Sequence, residues 1–178
     1  RDNNKNMVVA PNRTAYGPAP ATAHVLDPRT GERRVSRRED VIAAATVCDA
    51  LPNIDWATSL AMDGEIPPEL ACVQEFADMT SHTVKPLWGW AYTLEGCTYV
   101  HRIAVEVAGG QQAFARRPSY FFFCEPLSPL VCDADVASQV IYCARHRVPL
   151  VFAPVEMAGA TSPATLAGTV LMSIADSL

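Results

Sequence analysis

Three aromatic residues and two carboxylates are spaced so that they could hold an organic cation. Trp88, Trp90 and Tyr92 occupy alternate positions of one stretch, Glu125 follows the apolar run Phe121 to Cys124, and Glu156 lies in the loop after Leu150 to Ala153. Aromatic faces attract a cation through their quadrupole, and a carboxylate supplies the counter-charge. Each residue also has a plainer reading. Period-two spacing sets the three aromatics on one face of a strand, where they either line a pocket or pack against helices. Gly89 between the tryptophans would let a ligand or another backbone come close. Glu125, ending so apolar a run, must be solvated, paired or functional, and Glu156 could simply face solvent. Gly159, Thr161 and their neighbours present backbone N–H groups at an expected helix start, which suits an anion or an ordinary cap. Asp55 and Asp63 flank the first expected strand and are further candidates.

Other chemistries lack their residues. The two lysines, Lys5 and Lys85, do not sit at a strand end as the Schiff-base lysine of a barrel would. His24, His82, His101 and His146 show no H-x-H or H-E-x-x-H spacing, so no metal site is expected, and the last three read as surface or capping histidines on helices. A G-x-S-x-G elbow is absent. Cys124 and Cys132 flank Glu125 with no histidine nearby in sequence and read as packing. The six cysteines are spread singly, which predicts free thiols in a reducing cytoplasm. A net charge of −5 argues against nucleic acid. Arg33, Arg34, Arg37 and Arg38 interleave with Glu32, Glu39 and Asp40, as on a solvated helix entry. No signal peptide or membrane-length apolar run occurs, so a soluble protein is expected.

The elements that must position these residues alternate. Residues 1–35 read as an extended or hairpin arm, with His24 to Asp27 entering a Pro-Arg-Thr-Gly turn. Residues 36–178 read as one partial barrel domain. Ser36 and Glu39 match a capping box for a helix with Val41, Ala44, Ala45 and Cys48 inward. A strand from Ile54 to Met62 precedes a helix opened by Pro67, Pro68 and Glu69; a strand from Pro86 to Tyr92 precedes a helix from Leu94 to Val107, stopped by Gly109-Gly110. A strand from Tyr120 to Cys124 precedes a helix entered at Asp133. Leu150 to Ala153 reads as a strand buried on both faces, followed by a helix capped by Ser162 with Pro163 at its first position. Four consecutive strand-helix units imply parallel strands with right-handed crossovers. No G-x-G-x-x-G or G-x-x-x-x-G-K-[ST] phosphate turn supports a nucleotide-type open sheet. The expected fold class is therefore α/β, part of a (β/α)8 TIM barrel. Because such barrels need about 250 residues, the chain is expected to be a piece of a larger protein, inactive by itself.

Pro154 to Gly168, reading PVEMAGATSPATLAG, resembles the signature of the trimethylamine methyltransferase family, the corrinoid-dependent methylamine and betaine demethylases. Asp49 to Asp55 (DALPNID), Glu125 to Leu130 (EPLSPL), Tyr142 to Pro154 (YCARHRVPLVFAP) and the DPRTGERR turn at 27–34 agree with it, in one order along nearly the whole chain. The resemblance implies a (β/α)8 barrel that moves a methyl group from a methylated amine, such as a betaine, another quaternary amine or trimethylamine, to the cobalt of a corrinoid carried by a separate partner protein. This chain itself would bind no cofactor. In trimethylamine-specific members a pyrrolysine lies beyond the 154–168 motif, so the sequence leaves open which type this is, and also whether a homo-oligomer forms. A quaternary ammonium leaves as a neutral amine and needs no general acid; the protein has to hold it, orient one methyl and exclude water. The substrate-binding candidates are thus Glu125, Glu156, Trp88, Trp90, Tyr92, Gly159 and Thr161. The alternative from another class is a non-catalytic α/β module that binds a small cation or serves assembly.

Overall fold

The computed structural model describes residues 7–20 and 22–178. Its centre is a three-stranded parallel sheet in the order β3 (Leu87–Gly89), β4 (Tyr120–Cys124), β5 (Leu150–Phe152). Trp88 pairs with Phe121, and Phe123 with Val151. Parallel neighbours need a crossover, and each is helical: α3 (Leu94–Ala108) and the short α4 (Gln111–Arg116) between β3 and β4, then α5 (Ala134–His146) between β4 and β5. The expected strand over 54–62 is reduced to one parallel bridge, in which Ala57 N–H donates to the Pro86 carbonyl and Trp88 N–H to that of Ala57, each at 2.9 Å. Partners on the other side claim the rest of that stretch. Asp55 N–H donates to the Tyr16 carbonyl, Ala61 bridges to Thr22, and Leu60 turns left-handed at φ 55°. The strands form an open sheet with sequential order; a closed barrel is not seen.

Alternation along the strands divides the sheet into two faces. Leu87, Tyr120, Phe122 and Cys124 enter a core shared with α1 (Arg38–Ala50), α2 (Pro68–His82), α3 and α5, through Val41, Phe76, Met79, Val100 and Cys143 among others. Gly89 belongs to this face: a side chain there would press on the Tyr120 ring at 3.0 Å, so its bareness serves packing, not ligand approach. The opposite face carries a layer of rings, Trp88 lying 6.4 Å from Trp56, 5.7 Å from Phe121 and 4.8 Å from Phe123. β5 is half open, with Val151 exposed, because no strand lies beyond it among the described residues. After it, α6 (Leu166–Ser177) leaves Leu166, Val170, Leu171 and Ile174 exposed.

Helix ends follow side-chain chemistry, with two departures from expectation. Asp133 caps α5 by accepting from Val136 N–H at 2.8 Å, Thr93 caps α3, and Gly109 closes α3 at φ 84°. α1, however, starts at Arg38, with Asp40 accepting from Arg37 N–H at 2.9 Å. Ser36 is unavailable because its hydroxyl is buried against the Met62 and Thr22 carbonyls. α6 likewise starts three residues after Pro163, capped by Thr165, because Thr161 and Ser162 are bound into the preceding loop.

The arm's expected hairpin forms from β1 (His24–Leu26) and β2 (Arg33–Val35); residues 1–6 of the arm, Lys5 included, lie outside the described residues. Asp27 fixes the turn by accepting from Arg29 N–H at 2.9 Å. The arginines are more than a solvated entry. Arg34 grips Asp40 with two nitrogens at 2.7 and 2.9 Å and Asp27 at 3.2 Å, while Arg38 binds both oxygens of Asp78 on α2. Further back, Gly17 lies so close to the Trp56 indole that no side chain would fit.

His101 is also not a surface residue. It is buried between α3, α4 and β4, with Nδ1 3.2 Å from the Tyr120 hydroxyl and Nε2 3.1 Å from Gln111 Oε1. Gln111 donates its amide to the His146 carbonyl, so its oxygen must accept. His101 is therefore the neutral tautomer with the proton on Nε2, and burial holds its pKa below the ordinary imidazole value. All six cysteines are free, and Cys132 alone is exposed. Among the described residues no helix is long and apolar enough to cross a membrane.

Candidate functional site

Because the strands are parallel, their C-terminal ends share one edge, and the candidates follow those ends in sequence: Trp90 and Tyr92 after β3, Glu125 after β4, Glu156 four residues beyond β5. Gln139 of α5 ties this rim together. Its amide donates to the Ala91 carbonyl at 3.2 Å and its oxygen accepts from Cys124 Sγ at 3.7 Å. β3 ends at Gly89, so the three aromatics do not share a face as their spacing suggested. Trp88 belongs to the ring layer on the bare side of the sheet. Trp90 instead meets Tyr92 edge-on, centroids 5.0 Å apart, and the exposed Tyr92 hydroxyl lies 3.5 Å from Met62 sulfur.

Behind this pair stands a carboxylate that the strand-end search missed. Glu75 is on α2 and 1% exposed. Its Oε1 accepts from Asp63 N–H at 3.3 Å, while Oε2 is shut from solvent without a well-formed partner. Burial pushes the carboxyl up to about 7, and the nearby Asp63 charge adds to this, against the pull of the Ser59 hydroxyl, the Asp63 N–H and the Trp90 indole. The signal was available in sequence. Cys72, Glu75, Phe76 and Met79 follow i, i+3, i+4, i+7, which puts an ionisable residue inside an apolar stripe. Asp63 is buried beside it, its carboxylate accepting from Glu65 N–H at 3.0 Å.

The other candidates are placed as follows. Glu125 is exposed at the rim. Glu156 is half-buried, with Oε1 unpartnered. From Gly159 to Ser162 the backbone donors are already spent: the N–H groups of Ala160, Thr161 and Ser162 go to the Met157 carbonyl, that of Gly159 goes to Ser162, and the Thr161 hydroxyl accepts from Met157 N–H at 2.9 Å. Gly159 and Thr161 therefore shape the loop and present no free donor row to an anion. Asp55 lies at the other end of its segment and accepts from Tyr16 N–H at 2.8 Å, anchoring the arm. Lys85, before β3, reaches the Cys48 and Leu51 carbonyls at the end of α1.

Comparison with known proteins decides what this rim belongs to. The family model described as trimethylamine methyltransferase (MTTB) matches residues 1–178. The chain belongs to the trimethylamine methyltransferase family. A trimethylamine methyltransferase MttB of Desulfitobacterium hafniense (strain DSM 10664 / DCB-2) is 30% identical over 147 residues, which cover 83% of this chain and 30% of that protein. One of Methanosarcina barkeri (strain Fusaro / DSM 804) is 28% identical over 145 residues, covering 80% of this chain and 29% of the relative. The family member described here thus spans less than a third of the length of those curated relatives.

Proposed function

We propose that the protein containing this chain transfers a methyl group from a methylated amine, trimethylamine or a quaternary amine such as a betaine, to the cobalt of a corrinoid carried by a separate protein. Family membership across all 178 residues is the observation that carries this reading. The position of the candidates supports it, since Trp90, Tyr92, Glu125 and Glu156 all follow C-terminal strand ends, the end at which a parallel α/β sheet meets its ligands. In this reading the sheet is an arc of a (β/α)8 barrel. Its strands run in sequential order, its helices pack on one face, and β5 and α6 leave an apolar edge for further units.

The chemistry asks little of acids and bases. A quaternary nitrogen departs as a neutral tertiary amine with the C–N electron pair, trimethylamine does the same when taken as its protonated ammonium ion and leaves as dimethylamine, and the partner's reduced cobalt supplies the pair for the new bond. What remains for the protein is to hold the cation, point one methyl outward and keep water away. Trp90 and Tyr92 offer ring faces, and Glu125 and Glu156 offer charge. Five buried thiols and one exposed suit a reducing compartment.

Calorimetric titration of the full-length gene product with trimethylamine and with glycine betaine tests this assignment. Trp90→Ala should weaken binding of the preferred amine about 10- to 30-fold, the worth of one well-desolvated cation–π contact, with the helical circular dichroism unchanged. Equal affinities for wild type and variant would remove the rim from the account.

A further inference from the structure

Glu75 is an expensive residue to bury, and the fold-level duty it has, accepting from Asp63 N–H at 3.3 Å, uses an oxygen that an uncharged glutamine would supply as well. It lies within the apolar stripe of α2 where a leucine or methionine would pack, and one of its oxygens has no well-formed partner. Its neighbours join it to the rim. From the segment before α2 come Ser59 and the Asp63 backbone and carboxylate, and from the segment after β3 come the Trp90 indole and Tyr92; Cys72 faces it from its own helix. Arg38, the cation at the start of α1, is engaged by both oxygens of Asp78. Glu75 therefore lacks a basic partner among the groups that face it, and the rings that would receive a methylated ammonium stand beside it.

Resting on the functional reading above, we propose that Glu75 is the counter-charge behind the Trp90–Tyr92 pair, giving up its proton when a methylated ammonium settles on those rings. The coupling is electrostatic and reciprocal. A cation at the rings favours the ionised carboxylate, so the ionised carboxylate must favour the cation by the same factor. Ionisation is delayed in the empty protein because burial and the Asp63 charge oppose it, with the carboxyl pushed up to about 7. A neutral Glu75 also keeps the empty site from holding two unshielded carboxylates. Glu75 is 1% exposed and lies beside the Trp90 indole, so its part is to charge the binding surface and not to touch the methyl group.

The test is affinity against pH in the full-length gene product, with tetramethylammonium as the probe because its charge is fixed at every pH. Between pH 5.5 and 8.5 the wild type should bind roughly 10-fold more tightly at the upper end, the scale of one charge acting through a partly buried site. At pH 6.5 binding should release about half a proton, the most that a 10-fold coupling draws from a carboxyl starting at about 7, read from calorimetry in buffers of different ionisation heat. Glu75→Gln keeps an acceptor for the Asp63 N–H; it should bind with the same affinity at every pH and release no proton. Without ligand the sign is fixed by linkage. A carboxyl raised from 4.5 to about 7 by folding contributes stability that is complete below 4.5 and lost as pH rises through 7. That loss should be absent from Glu75→Gln. Binding that weakens on Trp90→Ala but stays flat with pH in the wild type would overturn the role of Glu75 while leaving the rim assignment standing. Absence of any Trp90-dependent binding would overturn both.

Discussion

Phe122→Ala is expected to destabilise the protein by about 3–5 kcal/mol, the range for a buried phenylalanine whose neighbours cannot collapse into the space it leaves. Phe122 is fully buried at the middle of the central strand, its N–H donating to the Pro149 carbonyl at 2.8 Å. Gly89 and Leu150 are its partners in the sheet, so both sides are held by backbone hydrogen bonds. Phe123, the next residue, points to the opposite face and is only part-buried. The loss is a large fraction of the 5–15 kcal/mol that usually separates folded from unfolded chains. Urea unfolding followed by circular dichroism reads it directly, with Val151→Ala on the exposed side of β5 as the contrasting variant. A cost for Phe122→Ala no larger than that of Val151→Ala would mean that this face of β4 does not carry the core.

Lys85→Met is expected to cost about as much, for a polar reason. The Lys85 ammonium is 4% exposed and donates at 2.5 Å to the Cys48 carbonyl and also to that of Leu51. These are carbonyls that the end of α1 leaves without helical partners, and a cation there also suits the helix dipole. Methionine keeps the apolar stem but removes both charge-assisted bonds, stranding the Cys48 carbonyl and leaving that of Leu51 with the Ile54 N–H at 3.3 Å. At about 1.5–3 kcal/mol for each hydrogen bond to a charged group, the expected loss is about 3–5 kcal/mol. Arg37→Met makes the informative comparison, because both members of the Arg37–Glu65 pair are well exposed and screened charges count for little. In guanidinium unfolding Lys85→Met should shift the midpoint far more than Arg37→Met. Equal shifts would show that the buried ammonium is not what closes α1 onto β3.

How far the sequence foretold this structure depends on whether the deciding interaction was local. β4 was legible to the residue because a run of aromatics is bounded by Pro118 on one side and Glu125-Pro126 on the other. α5 was legible from its Asp133 cap, and α3 from its apolar spacing and the Gly109 stop. The segment 54–62 was not, because its partners are the arm and Leu87, brought together only by the fold. α4 has six residues, too few for a period to show.

The same division runs through the site. The strand ends could be located, so the places of Trp90, Tyr92 and Glu125 just beyond β3 and β4 were legible. Trp88 was grouped with them because strict alternation was carried past Gly89, where the strand stops. Glu75 and His101 were overlooked for one shared reason. Each is the polar member of an apolar stripe, Cys72-Glu75-Phe76-Met79 on α2 and Cys97-Val100-His101-Ala104 on α3. Reading a helix stripe for its exception, as well as its period, would have pointed to both.

Methyl transfer itself is the most direct measurement of the central claim. The full-length gene product is mixed with trimethylamine or glycine betaine, a corrinoid protein and a reductant, and the corrinoid spectrum is followed alongside the demethylated amine. The account predicts one methylated corrinoid formed for each methyl group lost from the amine, at a rate that depends on the enzyme. Tight binding of both amines with no methyl appearing on the corrinoid would contradict it.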